Sequence, residues 1–126
     1  MFATVLFPID QSRQTLDTAA VALQLAQRHG SRVVMLSVIE EEGVMHDPAT
    51  VTQLLEQART SFEQAGVACE VLERSGKPAF VIGDVADEIN ADVIVMGTRG
   101  ISLESDQHST AARVIQLAPC PVLVVP

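Results

Sequence analysis

The chain contains no tryptophan or tyrosine, and only 3% of its 126 residues are aromatic. Proteins that bind single-stranded nucleic acid usually stack the bases on aromatic side chains, and few are available here. Positive charge is scarce as well, because 8 Lys and Arg residues stand against 16 Asp and Glu residues, for a net charge of −8. A field of this sign repels a phosphate backbone, so we expect no nucleic-acid partner.

Long apolar runs and metal-ligand patterns are missing too. No run approaches the about 18 residues of a membrane-spanning helix, and residues 1–5 lead directly into a strand pattern. Cys69 and Cys120 are far apart and form no Cys-x-x-Cys pair, and the three histidines share no ligand spacing. We therefore expect reduced thiols, no metal, no membrane and a cytoplasmic location.

Apolar residues make up 48% of the chain, enough for the core of one domain spanning residues 1–126. Short apolar runs predict five strands, at residues 4–9, 32–39, 67–72, 92–96 and 122–125. The four segments between them show helical spacing. The predicted apolar stripe of the first helix is Leu16, Ala19, Ala20, Leu23 and Ala26. That of the third is Phe80, Val81, Val85, Ala86 and Ile89.

Strands that alternate with helices predict a doubly wound parallel sheet with helices on both faces. In such folds a ligand sits beyond the carboxyl ends of the strands, where the strand order reverses. If the first and fourth strands flank that point, residues 8–10 and 96–100 face the ligand.

A glycine-containing loop supports this placement. Gly97-Thr-Arg-Gly100 follows the fourth strand, and Ser109-Thr110 precede the helical segment after it. Glycines allow a close approach of the backbone to a ligand, and a helix N-terminus favours an anion, often a phosphate. The hydroxyls of Ser109 and Thr110 also suit simple helix caps, so both roles stay open.

Four motifs together resemble the universal stress protein family over the whole chain. They are Pro-Ile-Asp at residues 8–10, Gly-Lys-Pro at 76–78, Asp-Val-Ile-Val-Met-Gly-Thr-Arg-Gly at 92–100 and Ala-Pro-Cys-Pro-Val at 118–122. The resemblance implies a single-domain α/β fold like that of the adenine-nucleotide alpha-hydrolases, with five strands in the order 3-2-1-4-5. It also implies that Asp10 lies near an adenosine and that Val38 lines an adenine pocket.

The chain departs from the family's ATP-binding pattern at one point. In ATP-binding members, Gly-x-x-Gly is followed by nine residues and then Gly-Ser or Gly-Thr. Gly97 and Gly100 match the first pair, but aligning the following helix puts His108 at the third glycine, after only seven residues. Glu104 and Asp106 add negative charge to the same loop, which disfavours a triphosphate.

Two functions follow from the resemblance and from this departure. The leading one is a homodimeric stress-response regulatory module with a degenerate nucleotide site, acting by binding and with a protein partner. The alternative is a switch that binds ATP or AMP with little or no hydrolysis. The candidate nucleotide contacts are Pro8, Ile9, Asp10, Val38, Met96, Gly97, Thr98, Arg99, Gly100, Ser109 and Thr110. We assign no catalytic residue.

The last predicted strand, Val122–Val125, is apolar on both faces and carries no charge. In the order 3-2-1-4-5 it lies at a sheet edge, and such an edge invites pairing with another chain. The resemblance implies antiparallel pairing with the same strand of a second copy, a two-fold contact. We therefore expect a homodimer through this strand.

Overall fold

The structure, a computed structural model, describes residues 2–9, 14–39, 48–98 and 110–126. Its strands are β1 (Thr4–Ile9), β2 (Arg32–Ile39), β3 (Cys69–Ser75), β4 (Val93–Gly97) and β5 (Val122–Val125). Its helices are α1 (Gln14–His29), α2 (Pro48–Gln64), α3 (Pro78–Glu88) and α4 (Thr110–Leu117). Within these ranges no helix is both long and apolar enough to cross a membrane.

The strands form one parallel sheet in the order β3-β2-β1-β4-β5. This confirms the predicted fold and strand order. β1 lies at the centre, and its register with β2 is Thr4 opposite Arg32 through Ile9 opposite Ser37.

Each face of the sheet has its own apolar core, because successive side chains of a strand point to opposite faces. Phe7 and Met35 lie in the core that contains Phe62 of α2 and Ala22 of α1. Their neighbours along the strands, such as Leu6 and Leu36, lie with Val85 of α3 and Val114 of α4. Burying each large apolar side chain contributes about 1.5–3 kcal/mol, so the two layers together hold the sheet.

Glycines end α1 and α2 in the same way. Gly30 has φ 61° and Gly66 has φ 83°, values that side-chain-bearing residues rarely adopt. The N–H of Ser31 then donates to the carbonyl of Ala26 at 2.9 Å, and that of Val67 donates to Phe62 at 2.9 Å. These bonds satisfy carbonyls of the last helical turns.

The predicted bounds of the third strand, residues 67–72, were wrong. Val67 lies between α2 and β3, where its buried side chain follows Gly66. The strand itself runs from Cys69 to Ser75, because β2 offers it partners as far as Ile39. The alternating pattern was present in the sequence, but the partner strand decided how far it pairs.

Two apolar stripes were assigned to slightly wrong helix faces. Leu16 is 73% exposed and Phe80 is 50% exposed. The fully buried residues of α1 are Thr18, Ala22 and Ala26, which recur every four residues. Of the predicted stripe, Ala26 is buried and Ala19 and Leu23 pack partly buried against the same core. Alanines occur on several sides of α1, so the spacing identified a helix without deciding which side meets the sheet.

The fourth strand begins and ends one residue later than residues 92–96. Asp92 is exposed and lies before the strand, where its carboxylate accepts a hydrogen bond from the N–H of Thr4 at 2.9 Å. Its own N–H donates to the carbonyl of Thr4 at 2.8 Å. Gly97, expected in the turn, is the last residue of β4.

Phe62 and Phe80 form a matched pair for testing the core. Phe62 is 2% exposed and stacks with Phe7 at a ring-centroid distance of 6.4 Å, so Phe62→Ala should lower the free energy of unfolding by about 3–5 kcal/mol. Half-exposed Phe80 is the control, and Phe80→Ala should cost about 1 kcal/mol or less. Urea denaturation measures both, and equal losses would contradict this account of the core.

Candidate functional site

The strand order reverses between β1 and β4, the place where a doubly wound fold forms its ligand-binding crevice. The chain leaves β1 for α1 on one face of the sheet and leaves β4 for α4 on the other. The two strands pair only at Val5–Val93 and Leu6–Ile94, whereas β1 and β2 pair at every position from Thr4 to Ile9. The carboxyl-terminal ends of β1 and β4 are therefore not joined by a ladder, and this is where a doubly wound fold binds its ligand.

Three of the candidate residues form an apolar shelf beside the crevice. Met96 belongs to the core under α3 and α4, and Val38 packs against that core. Strand alternation puts Pro8 on the same face as Leu6, and continuing the Leu6–Ile94 register puts Pro8 level with Met96. Pro8 and Val38 are partly exposed. We call Pro8, Val38 and Met96 the apolar shelf; its apolar character suits a purine ring.

Ile9 lies at the same end of the sheet but points the other way. Its side chain is buried in the core under α1 and α2, so only its backbone is placed to meet a ligand. Ser37, its partner on β2, is a buried polar residue in the same layer. Ser37 was not among the predicted site residues, although a polar residue inside an otherwise apolar run was the available signal.

Gly97 and Thr98 continue β4 past the shelf. Thr98 is exposed, and its N–H donates to the carbonyl of Val125 at 3.2 Å. This bond extends the contact between β4 and β5 and fixes the direction in which the chain leaves the sheet. Both residues thus lie at the end of the sheet where the ligand is predicted to bind.

Thr110 is the first residue of α4 and is partly buried. The first N–H groups of a helix have no partner within it, and the helix dipole adds positive charge there. Since α4 connects parallel neighbours β4 and β5, its N-terminus lies at the same end of the sheet as the shelf. A phosphate group is the ligand that such a helix end favours.

Four of the candidate contacts lie outside the described residues: Asp10, Arg99, Gly100 and Ser109. The structure brings the other strand-end residues together at one end of the sheet, and their contact with a nucleotide stays a prediction.

The two cysteines lie away from this end of the sheet, and their surroundings disfavour a reactive thiolate. Partial burial, and then the nearby Glu63 carboxylate, raise the pKa of the Cys69 thiol to about 11. Burial, followed by Asp92, also raises the pKa of Cys120. Both thiols are free of disulfide bonds. In the part of the chain that the structure describes, no three acidic, His or Cys residues cluster as metal ligands would.

A model of the universal stress protein family matches residues 1–126. The chain belongs to this family. Universal stress protein Sll1654 of Synechocystis sp. is 47% identical over 136 residues, a match that covers all of this chain and 87% of that protein.

Solved structures show the same fold. UspA from Lactobacillus plantarum superposes with a TM-score of 0.86 at 22% identity, covering 99% of this chain and 98% of that one. A universal stress protein solved in complex with cAMP gives a TM-score of 0.80 at 22% identity, covering 98% of this chain and 96% of that one.

The raised pKa of Cys69 predicts slow alkylation of the folded protein. An ordinary cysteine titrates near pH 8.5, whereas Cys69 should stay protonated until the pH nears about 11. At pH 8, iodoacetamide should therefore modify Cys69 at least about tenfold more slowly in the folded protein than in urea. Site-resolved mass spectrometry follows the reaction, and a folded-state midpoint near pH 8.5 for Cys69 would contradict the prediction.

Proposed function

We propose that this protein is a stress-response regulatory module that acts by binding an adenine nucleotide in the β1–β4 crevice. The observation that carries the proposal is the apolar shelf of Pro8, Val38 and Met96 beside strand ends that do not pair. A purine ring placed on the shelf points its sugar and phosphate toward the end of β4 and the start of α4. The cAMP bound by a solved relative of the same fold supports this ligand class.

The phosphate end of the site favours a short ligand. Gly97 and Gly100 are retained, but the third glycine of the family's ATP pattern is absent, and Glu104 and Asp106 lie in the same segment. Carboxylates repel the closely spaced charges of a triphosphate more than a single phosphate. We therefore propose that the site is degenerate toward ATP and that a monophosphate such as AMP is the better ligand. The role proposed for the protein is binding, with little or no hydrolysis.

Replacing Gly100 tests the nucleotide site directly. Gly100→Val should abolish binding of AMP, because the added side chain fills space that the phosphate needs. Gly83→Ala is the control, since a Cβ there would lie 3.7 Å from the nearest atom of Leu117, an ordinary contact, on the α3–α4 side of the molecule. Isothermal titration with AMP and ATP measures both variants.

Native mass spectrometry of freshly purified protein provides the independent check. A copurifying adenine nucleotide that Gly100→Val loses and Gly83→Ala retains is the expected result. Unchanged affinity in Gly100→Val would place the ligand elsewhere, and no binding of either nucleotide by the unmodified protein would refute the proposal.

We also propose that two copies pair through β5. The two edges of the sheet differ: β3 carries Glu70, Glu73 and Arg74, whereas β5 carries no charge. Charges on an edge strand discourage pairing with another chain. The uncharged edge is therefore the one available for a second copy.

Exposed apolar side chains flank the β5 edge on both faces of the sheet. On one face Leu123 of β5 is 39% exposed. On the other, α3 meets α4 at Leu117, next to Gly83. Ile115 precedes Leu117 by about 200° of helix rotation, so it lies on the side of α4 away from α3. At 56% exposure, Ile115 overhangs the β5 edge and would be covered by the second copy.

A charge on β5 should weaken the dimer. Val124→Lys places an ammonium group in the apolar contact and should raise the dimer dissociation constant at least about tenfold. The control, Glu73→Lys, makes a charge change twice as large on the opposite edge and should leave the dimer intact. Light scattering over micromolar concentrations measures both, and a monomer mass for the unmodified protein would overturn the proposal.

We further propose that the protein acts in the cytoplasm on a protein partner. The free thiols of Cys69 and Cys120 support that location, since oxidising compartments favour disulfides.

A further inference from the structure

Pro8 stands in the central strand of the sheet, with β2 on one side and β4 on the other. Proline has no backbone N–H, so inside sheets it is normally confined to edges, strand starts and bulges. We propose that Pro8 is a positioning residue that sets the depth of the β1–β4 crevice by removing one hydrogen bond between these strands. The effect of Pro8 on a ligand rests on the proposed function, whereas the missing hydrogen bond follows from the strand geometry alone.

The direction of each β1 peptide follows from the bonds at the start of the strand. The N–H and carbonyl of Thr4 both bond to Asp92, which leads into β4, whereas the carbonyl of Ala3 accepts from Arg32 of β2. Successive residues of a strand face opposite neighbours. Leu6 and Pro8 therefore face β4, and the missing N–H of Pro8 is on the crevice side.

The carbonyl that loses its donor lies on β4, and the directions of the β4 peptides identify it. The N–H groups of Ile94 and Thr98 donate to Pro121 and Val125, on the β5 side of β4. The residues between them alternate with these, so Val95 faces β1. After the pairing of Leu6 with Ile94, the next ladder bond in this register would run from the N–H of residue 8 to the carbonyl of Val95.

The pairing of the strands agrees with this count. It stops at Leu6–Ile94 between β1 and β4, but between β1 and β2 it continues through Pro8 to Ile9. The ladder thus fails only on the side where proline lacks its donor. Without this bond residue 8 is not held to Val95, so the ends of β1 and β4 can separate beside the apolar shelf.

Pro8→Ala restores the donor and tests the inference. The amide of residue 8 should then bond to the carbonyl of Val95, giving protection from hydrogen exchange of at least about 100-fold and a scalar coupling across the hydrogen bond in NMR. The amide of Ile9 faces β2 in both proteins and serves as the internal reference. Binding of AMP should weaken at least about tenfold as the crevice becomes shallower.

A second variant distinguishes the effect of the backbone N–H from the effect of losing the proline ring. Lactic acid incorporated at position 8 has the methyl side chain of alanine, but a backbone ester oxygen takes the place of the amide N–H. If the hydrogen bond sets the depth, this variant should bind AMP more tightly than Pro8→Ala does. If the two variants lose AMP affinity equally, the loss is due to the missing proline ring. That result would overturn the role of the hydrogen bond in setting the crevice depth.

The hydrogen-exchange measurement tests the missing bond independently of nucleotide binding. A residue-8 amide in Pro8→Ala that exchanges as fast as in an unstructured peptide would refute the missing bond, whatever the protein binds. If the unmodified protein binds no AMP, the proposed function fails, and protection of that amide still shows that proline is what ends the ladder.

Discussion

The rest of the structure depends on the parallel pairing of β1 with β2, buried between two layers of helices. A parallel sheet must be covered on both faces, since its connections are helices and its strands are apolar on both sides. Phe7 and Met35 anchor one layer, and Leu6 and Leu36 anchor the other. Because the helices that follow β1 and β4 cover different faces, the chain separates at the ends of these two strands, and the proposed crevice results from the same requirement that builds the core.

β1 therefore has two roles that place opposite demands on its ladder. Its first half bonds to both neighbours, and Val5 and Leu6 there are fully buried, which favours stability. At Pro8 the bonding to β4 ends, although the bonding to β2 continues. A ladder bond is thus absent beside the residues proposed to bind the nucleotide, which agrees with the general observation that proteins depart from regular structure at functional sites.

Much of the fold could be predicted because strands buried on both faces have distinctive sequences. β2 was predicted with its observed bounds, since its apolar run has polar or glycine residues at both ends. β3 was not, because Val67 and Ala68 extend its apolar pattern back toward Gly66, and only pairing with β2 shows where the strand begins and ends. In α1 the small alanines left several faces equally apolar, so Leu16 was assigned to the core and is exposed. For the site, the switch-point rule located Pro8 and Met96, and the family resemblance added Val38, but the spacing did not show that the three share one face.

The sequence by itself determined the fold class, the strand order through its family resemblance, and the segments that meet at the crevice, because local apolar patterns and motifs are properties of neighbouring residues. The tertiary structure decided which side chains share a face, how far β3 extends, and that the missing N–H of Pro8 is on the β4 side. These depend on which strand lies next to which and in what register. Residues far apart in the chain, such as Thr4 and Asp92, set that register, and no local pattern contains it.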